Sequence, residues 1–341
     1  MPAPNPARKL MSSFKELGLT AAQVRSLIPS WWVDEVAQSE DGLLELQILL
    51  ARRFNVSLGS LQERDPSPKF QATAPRFKTV HPDGSSQLAV AAGIGNGLAH
   101  LLSAAAEGRP ILQPLSPQSL RAQLMKDGGA ATLDRLVGWS WKQGIPIVHV
   151  TGWPSGLRRP DAMCMRVDQR PIVMVVRKET APAKLAYLVA HELGHIMCGH
   201  LAAGTNAVLV DETLPVDAQK SFFDDDEKEA DAYAIEVLGG AELDAAAKRL
   251  LGRPYSELSL AAEVLSSLKD KPLDAGQVIL AWGRLTQEWK TANAALKYLQ
   301  TMQAAPRVIN DVARDEIDFD VLSTDGMDHL LKLTAMELPP A

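Results

Sequence analysis

The sequence predicts an α+β fold, mostly helical, in which a small β-sheet or hairpin packs on a helix carrying HELGH, with helical regions on either side. Three observations predict it. Apolar residues recur at helical spacing along most of the chain. Two short apolar runs, AMCMRV and IVMVVR, are parted only by Asp168-Gln169-Arg170-Pro171. Helix start and stop residues then bracket the segment that follows them.

In order, the first sixty residues give LTAAQVRSLI, stopped near Pro29, then DGLLELQILLARR, then SLGSLQER after a break at Phe54-Asn55-Val56. The stretch from Arg64 to Gly84 carries four prolines and almost no apolar periodicity. Residues 1–64 therefore read as an N-terminal helical region and 65–84 as an extended linker. Ser85 to Ala106 contains no Asp, Glu, Lys or Arg and is nominally long enough to span a bilayer. Its Gly93, Gly95, Asn96, Gly97 and His100 make a poor span, and a buried, Ala-rich helix is expected. The GIGNG within it is no phosphate loop, because no strand pattern precedes it.

SPQSLRAQLMKDG and ATLDRLVGWSWKQ follow as helices, with Gly144 as a stop and IPIVHV as a short buried strand. AMCMRV and IVMVVR form the hairpin. Thr180 as N-cap and Pro182 near the first helical position open a helix through LAYLVAHELGHIMCGH. A polar loop leads to an acid-capped helix from Asp224-Asp225-Asp226 through EKEADAYAIEVL to Gly239-Gly240. Residues 85–240 make one domain on this reading, and 241–341 a C-terminal helical one built from LDAAAKRLLG, SELSLAAEVLSSL, DAGQVILAWGRL, WKTANAALKYL and a segment around HLLKL.

Composition narrows the class. At 341 residues, with 46% hydrophobic and 22% charged side chains, the chain is ordinary for a globular protein and long enough for more than one core. A net charge of -6 argues against coating nucleic acid by bulk electrostatics. Only two cysteines occur, Cys164 and Cys198, and MPAPNPARKLMSSF lacks the apolar run of a signal peptide. A reducing, cytoplasmic setting is expected, with no membrane partner.

The chemistry sits in two segments. His191 and His195 are four apart on one helix, so both imidazoles leave one face and can share a tetrahedral ion. In HELGH the histidines bind zinc, and Glu192 beside them is the base that activates water. Catalytic zinc usually takes a third protein ligand and leaves one position open. EKEAD supplies it. Glu227 is assigned to the metal and Asp231, four residues on, to accepting the N–H of a liganding histidine, His191. Glu229 is the rival ligand; it points roughly 200° round the helix from Glu227, so only one of the two can face the ion. His200, projected onwards along the same helix, points away from the zinc face and reads as a helix-end histidine meeting the C-terminal dipole. Cys198 reads as core. His149, Tyr187 and Tyr233 are candidates for a second donor to the oxyanion.

AHELGHIMCGH, preceded by GIPIVHV and a hairpin and followed by EKEADAYA, resembles the ImmA/IrrE family of metallopeptidases over about Ile145 to Leu238. The resemblance implies zinc on His191, His195 and Glu227, with Glu192 as base. It also implies an endopeptidase whose protein substrate is a repressor-like transcriptional regulator. A second reading keeps the zinc fold for stability alone and makes the chain a regulator or adaptor. Glu192 separates the two, since a structural zinc site needs no base beside it.

ILLARRFNVSLGSL fits the middle of a helix-turn-helix. Its would-be reading helix, SLGSLQER, offers only Gln62 and Arg64 as good donors, although Arg52 and Arg53 could meet phosphates. A structural hairpin is favoured over DNA binding. For the peptidase reading, a substrate strand is expected to add to an exposed edge of IVMVVR.

Overall fold

The predicted hairpin is the centre of a five-stranded mixed sheet. In a computed structural model, which describes residues 5–71, 74–78, 85–111, 113–201, 207–211, 225–269, 271–299 and 304–338, β3 (Ala162–Val167) pairs antiparallel with β4 (Arg170–Val175). Asp168 and Gln169 both take positive φ, 47° and 69°, the twist a two-residue hairpin turn needs. Pro171 lacks a donor, yet lies inside β4. It is tolerated because β2 (Ile147–His149) runs parallel to β4 only from Val173 onwards.

Two further strands complete the order β1-β5-β3-β4-β2. β5 (Ala207–Asp211) pairs antiparallel with β3, and β1 (Ala74–Lys78) runs parallel to β5 at the sheet's edge. Both lie in segments read as linker and polar loop. β1 contains Pro75, which an edge position accepts. β4 lies between β3 and β2, so the expected addition of a substrate strand to IVMVVR is overturned: along Val173–Val175 its hydrogen bonds are already taken on both sides.

The helices are α1 (Pro6–Ser13), α2 (Ala21–Ser26), α3 (Glu40–Phe54), α4 (Leu58–Leu61), α5 (Ser85–Ala105), α6 (Pro117–Leu124) and α7 (Leu133–Lys142) ahead of the hairpin. After it come α8 (Pro182–Met197), α9 (Asp225–Leu238), α10 (Gly240–Lys248), α11 (Glu257–Ser267), α12 (Ala275–Thr286), α13 (Trp289–Leu296), α14 (Ala305–Glu316) and α15 (Thr324–Thr334). The molecule is therefore α+β and mostly helical, as the patterning predicts. Among the described helices, α1 and α14 fall outside the segments that the patterning marks as helices.

α5 is the expected Ala-rich core helix. Among the described residues it alone is long and apolar enough to cross a bilayer, but 67% of that stretch is buried inside the protein. Its glycines are contact points. A Cβ at Gly97 would lie 2.6 Å from the Arg52 carbonyl oxygen, so α3 and α5 can meet this closely only without a side chain there. Met163 and Met165 of β3 reach α5 at Gly95, while α8 also packs on β3 and β4. β3 and β4 are consequently buried almost throughout, which is why they read as continuous apolar runs rather than alternating ones.

The helix-turn-helix expectation reduces to a short hairpin. Asn55 ends α3 in the left-handed conformation, and α4 is a single turn of four residues with Ser60 and Leu61 buried. Such a turn is too short to lie in a major groove. Arg53 is buried and donates to the carbonyls of Leu27 and Asp325, so it is not placed for phosphate contact. Buried side chains from Ala7 to Met336 belong to one hydrophobic cluster. α12 packs on α8, where Gln277 donates to the Ala183 carbonyl at 2.7 Å; α14 lies across α7 and β2. Neither Cys164 nor Cys198 is in a disulfide.

Candidate metal centre

α8 begins at Pro182, whose fixed φ suits the first helical position. Its cap differs from the expected one. Ala181, not Thr180, is the N-cap residue, and Glu179 Oε1 accepts from the amides of Thr180 and Ala181 at 2.8 and 3.0 Å. Burial would raise the Glu179 pKa, but those amide hydrogen bonds and Lys184 outweigh it and hold the carboxylate ionised. From Leu185 to Met197 every side chain of the helix is buried, so histidines within it lie in the interior rather than at a surface.

α8 and α9 pack closely, and the contact is set by Gly194 inside HELGH. A Cβ at Gly194 would lie 2.8 Å from the Ala230 carbonyl oxygen and 2.9 Å from its Cα, so glycine on α8 facing alanine on α9 fixes the spacing. That spacing brings Glu227, in the first turn of α9, onto the imidazoles. His191 Nε2 lies 3.3 Å from Glu227 Oε2, His195 Nε2 lies 3.2 Å from Glu227 Oε1, and the two Nε2 atoms are 3.1 Å apart. Both histidines are fully buried and the Glu227 side chain is 11% exposed.

This triangle can be tested against a metal. A tetrahedral ion with bonds of about 2.0–2.1 Å sets its ligand atoms roughly 3.3–3.4 Å apart. The three separations, with each imidazole facing a different oxygen of the Glu227 carboxylate, match that spacing within a few tenths of an ångström, and two nitrogens with one carboxylate are a common donor set for a catalytic divalent ion. His191, His195 and Glu227 could therefore hold a metal ion. Burial by itself would push the Glu227 pKa up. The hydrogen bonds and charge of His191 and His195 reverse this, so the carboxyl is held well below its ordinary range and stays available as an anionic ligand.

Glu192 is completely buried and follows the first of these histidines on the same helix. Asp231, expected to hold His191, is placed otherwise. Its Oδ1 is buried with no hydrogen-bond partner among the described residues, and its pKa is raised by burial, opposed by the charge of Arg284. Glu229, the rival ligand, faces His200 at 3.2 Å instead of the triangle. Of the three oxyanion candidates, His149 is spent on Thr151 Oγ1 and the Arg177 carbonyl, and Tyr233 donates to the Leu115 carbonyl. Tyr187 stacks along His191, with ring centroids 6.4 Å apart.

His200 departs furthest from its expected position. α8 ends at Met197; Gly199 then takes φ +79°, its amide meets the Ile196 carbonyl, and the His200 amide bonds back to the His195 carbonyl at 2.9 Å. This is a Schellman ending, which returns the second residue past the cap onto the last turn. His200 Nδ1 consequently lies 2.8 Å from His195 Nδ1. Helical projection failed because the helix ends at Met197, three residues before His200; the Cys-Gly-His order carried the signal that could have shown it. Cys198, His200 and Glu229 form a second group close enough to share an ion. The Cys198 thiol, however, is pushed up to about 11 by burial and then by Glu229, so it stays protonated.

Residues 118–262, from α6 into α11, match the family model described as Peptidase U49, and the match supports a peptidase. His149, Glu179, Tyr187, His191, Glu192, His195, Cys198, His200, Glu227, Glu229, Asp231 and Tyr233 all lie within that span; Leu115, which accepts from Tyr233, and Arg284, which faces Asp231, lie outside it. No curated protein and no solved structure matches the chain.

Proposed function

We propose that the chain is a zinc-dependent endopeptidase, acting in the cytoplasm on a repressor-like regulatory protein. One observation carries the reading: two imidazoles and a carboxylate from adjacent helices meet at 3.1–3.3 Å, beside a buried glutamate, in a segment that matches a peptidase family. Zinc held by His191, His195 and Glu227 would supply a Lewis acid for the scissile carbonyl and lower the pKa of a water. Glu192 takes the proton of the attacking water and passes it to the leaving amine, so one C–N bond breaks as one C–O bond forms. Tyr187 is the remaining donor for the developing oxyanion, since His149 and Tyr233 are committed elsewhere. The regulatory substrate rests on the resemblance of HELGH and EKEAD to the ImmA/IrrE peptidases.

The test is to incubate candidate regulators encoded nearby with the native chain, the chelator-treated chain and Glu192→Gln. Fragments are expected from the native chain alone, with the Glu192→Gln rate lower by about 10²–10⁴. Equal cleavage by the native chain and Glu192→Gln would sink the assignment of the base. Cleavage that survives metal removal would sink the zinc reading.

A further inference from the structure

We propose that His200 and Glu229 form a directional hydrogen-bond relay that fixes the ring of His195 for metal binding, which makes both of them positioning residues. The inference rests on the zinc reading of the site. A neutral imidazole that ligates through Nε2 carries its proton on Nδ1, and in a buried ring that N–H needs an acceptor. His195 is fully buried, its Nε2 faces the triangle, and its Nδ1 lies 2.8 Å from His200 Nδ1. With the ion in place, His195 donates and His200 Nδ1 accepts. The proton of His200 then sits on Nε2, which lies 3.2 Å from Glu229 Oε2 and 3.9 Å from Asp226 Oδ1. One tautomer is thus specified along the whole chain, from the metal to an acidic group whose side chain is 64% exposed.

The same ordering decides what the neighbouring Cys198, His200 and Glu229 group does. Its only ring nitrogen for a second ion would be His200 Nε2, and the relay uses that atom as a donor. A metal there and a neutral His195 bound through Nε2 are mutually exclusive, so this cluster supports the first site instead of forming another. The Schellman turn is what makes the relay possible, because Gly199 in the left-handed region brings His200 under His195.

Zinc affinity of the full chain, measured by competition with a chromophoric chelator, tests the proposal without reference to activity. The native chain is expected to take one zinc. His200→Ala should bind about 10–100-fold more weakly, the cost typical of losing a partner of a liganding histidine. Glu229→Ala, at a position whose side chain is 64% exposed, should weaken binding several-fold, with Glu229→Gln restoring most of it because an acceptor oxygen returns. The double variant should bind no more weakly than His200→Ala, since Glu229 acts only through His200. Unchanged affinity in Glu229→Ala, or strictly additive losses, would overturn the relay while leaving the zinc site standing. Two zincs per chain, with one lost in Cys198→Ser, would overturn it in favour of a second metal site. A native chain that takes up no zinc would remove the zinc reading and the relay with it.

Discussion

His329 shows how much one buried side chain can set. It sits on α15 with 2% exposure, and neither ring nitrogen has a hydrogen-bond partner among the described residues. Burial, then the charges of Arg53 and Lys332, push its pKa down to about 3. In the unfolded chain the ring has an ordinary value near about 6.5. Between those two values the unfolded state holds a proton that the folded state lacks. Stability is therefore complete above about pH 6.5 and falls as pH drops toward 3, by about 1 kcal/mol per pH unit. Urea unfolding of the metal-free chain at pH 7 and pH 5 should show this slope, and His329→Gln should flatten it. An identical acid limb in both chains would refute the assignment. At this scale the sequence was legible where a residue's partner lies one helical turn away, as with His191 and His195. It was illegible where partners arrive from elsewhere, as with Arg53 of α3 beside His329 of α15.

Between elements, the closest constraint is the contact of α8 with α9. Gly194→Ala would put a methyl group 2.8 Å from the Ala230 carbonyl oxygen, a backbone atom that cannot move without shifting α9. The expected result is a loss of about 1–3 kcal/mol in stability together with weaker zinc binding, because Glu227 rides on α9. Gly138→Ala on α7 is the control. Its Cβ would meet nothing nearer than Val312 Cγ1 at 3.7 Å, so helix propensity should leave stability unchanged or raised. Equal behaviour of the two variants, by thermal unfolding and zinc titration, would refute the close-contact argument. Helix periods, the hairpin and the acidic first turn of α9 were readable because each is local. β1 and β5 were not, since a five-residue strand among prolines or polar residues is defined by the strand beside it.

For the whole molecule, the C-terminal helices are tied to the sheet by Asn310 of α14. Its Oδ1 accepts from the His149 amide at 2.8 Å, while its Nδ2 donates to the carbonyls of His149 and Thr334 at 2.9 and 2.7 Å. The side chain thus occupies the free edge of β2 as a further strand would, and links it to the end of α15. Asn310→Ala leaves three buried backbone groups without this partner, and a loss of about 2–4 kcal/mol is expected in denaturant unfolding. Zinc affinity should be unaffected, since the clamp lies on another edge of the fold. A loss below about 1 kcal/mol would mean that water replaces the amide without cost.

The sequence by itself determined the mixed, mostly helical class, the hairpin, and that His191 and His195 leave one face of one helix, because helical and strand periods fix which residues share a face; that Glu227 meets them was decided by the packing of α8 on α9. Tertiary structure alone decided that Glu229 serves His200, that Asp231 stands apart from a bond to His191, and that β4 lies inside the sheet. Those outcomes depend on where one element ends and which neighbour it meets. A helix that stops at Met197 instead of continuing through His200 changes every direction projected beyond it.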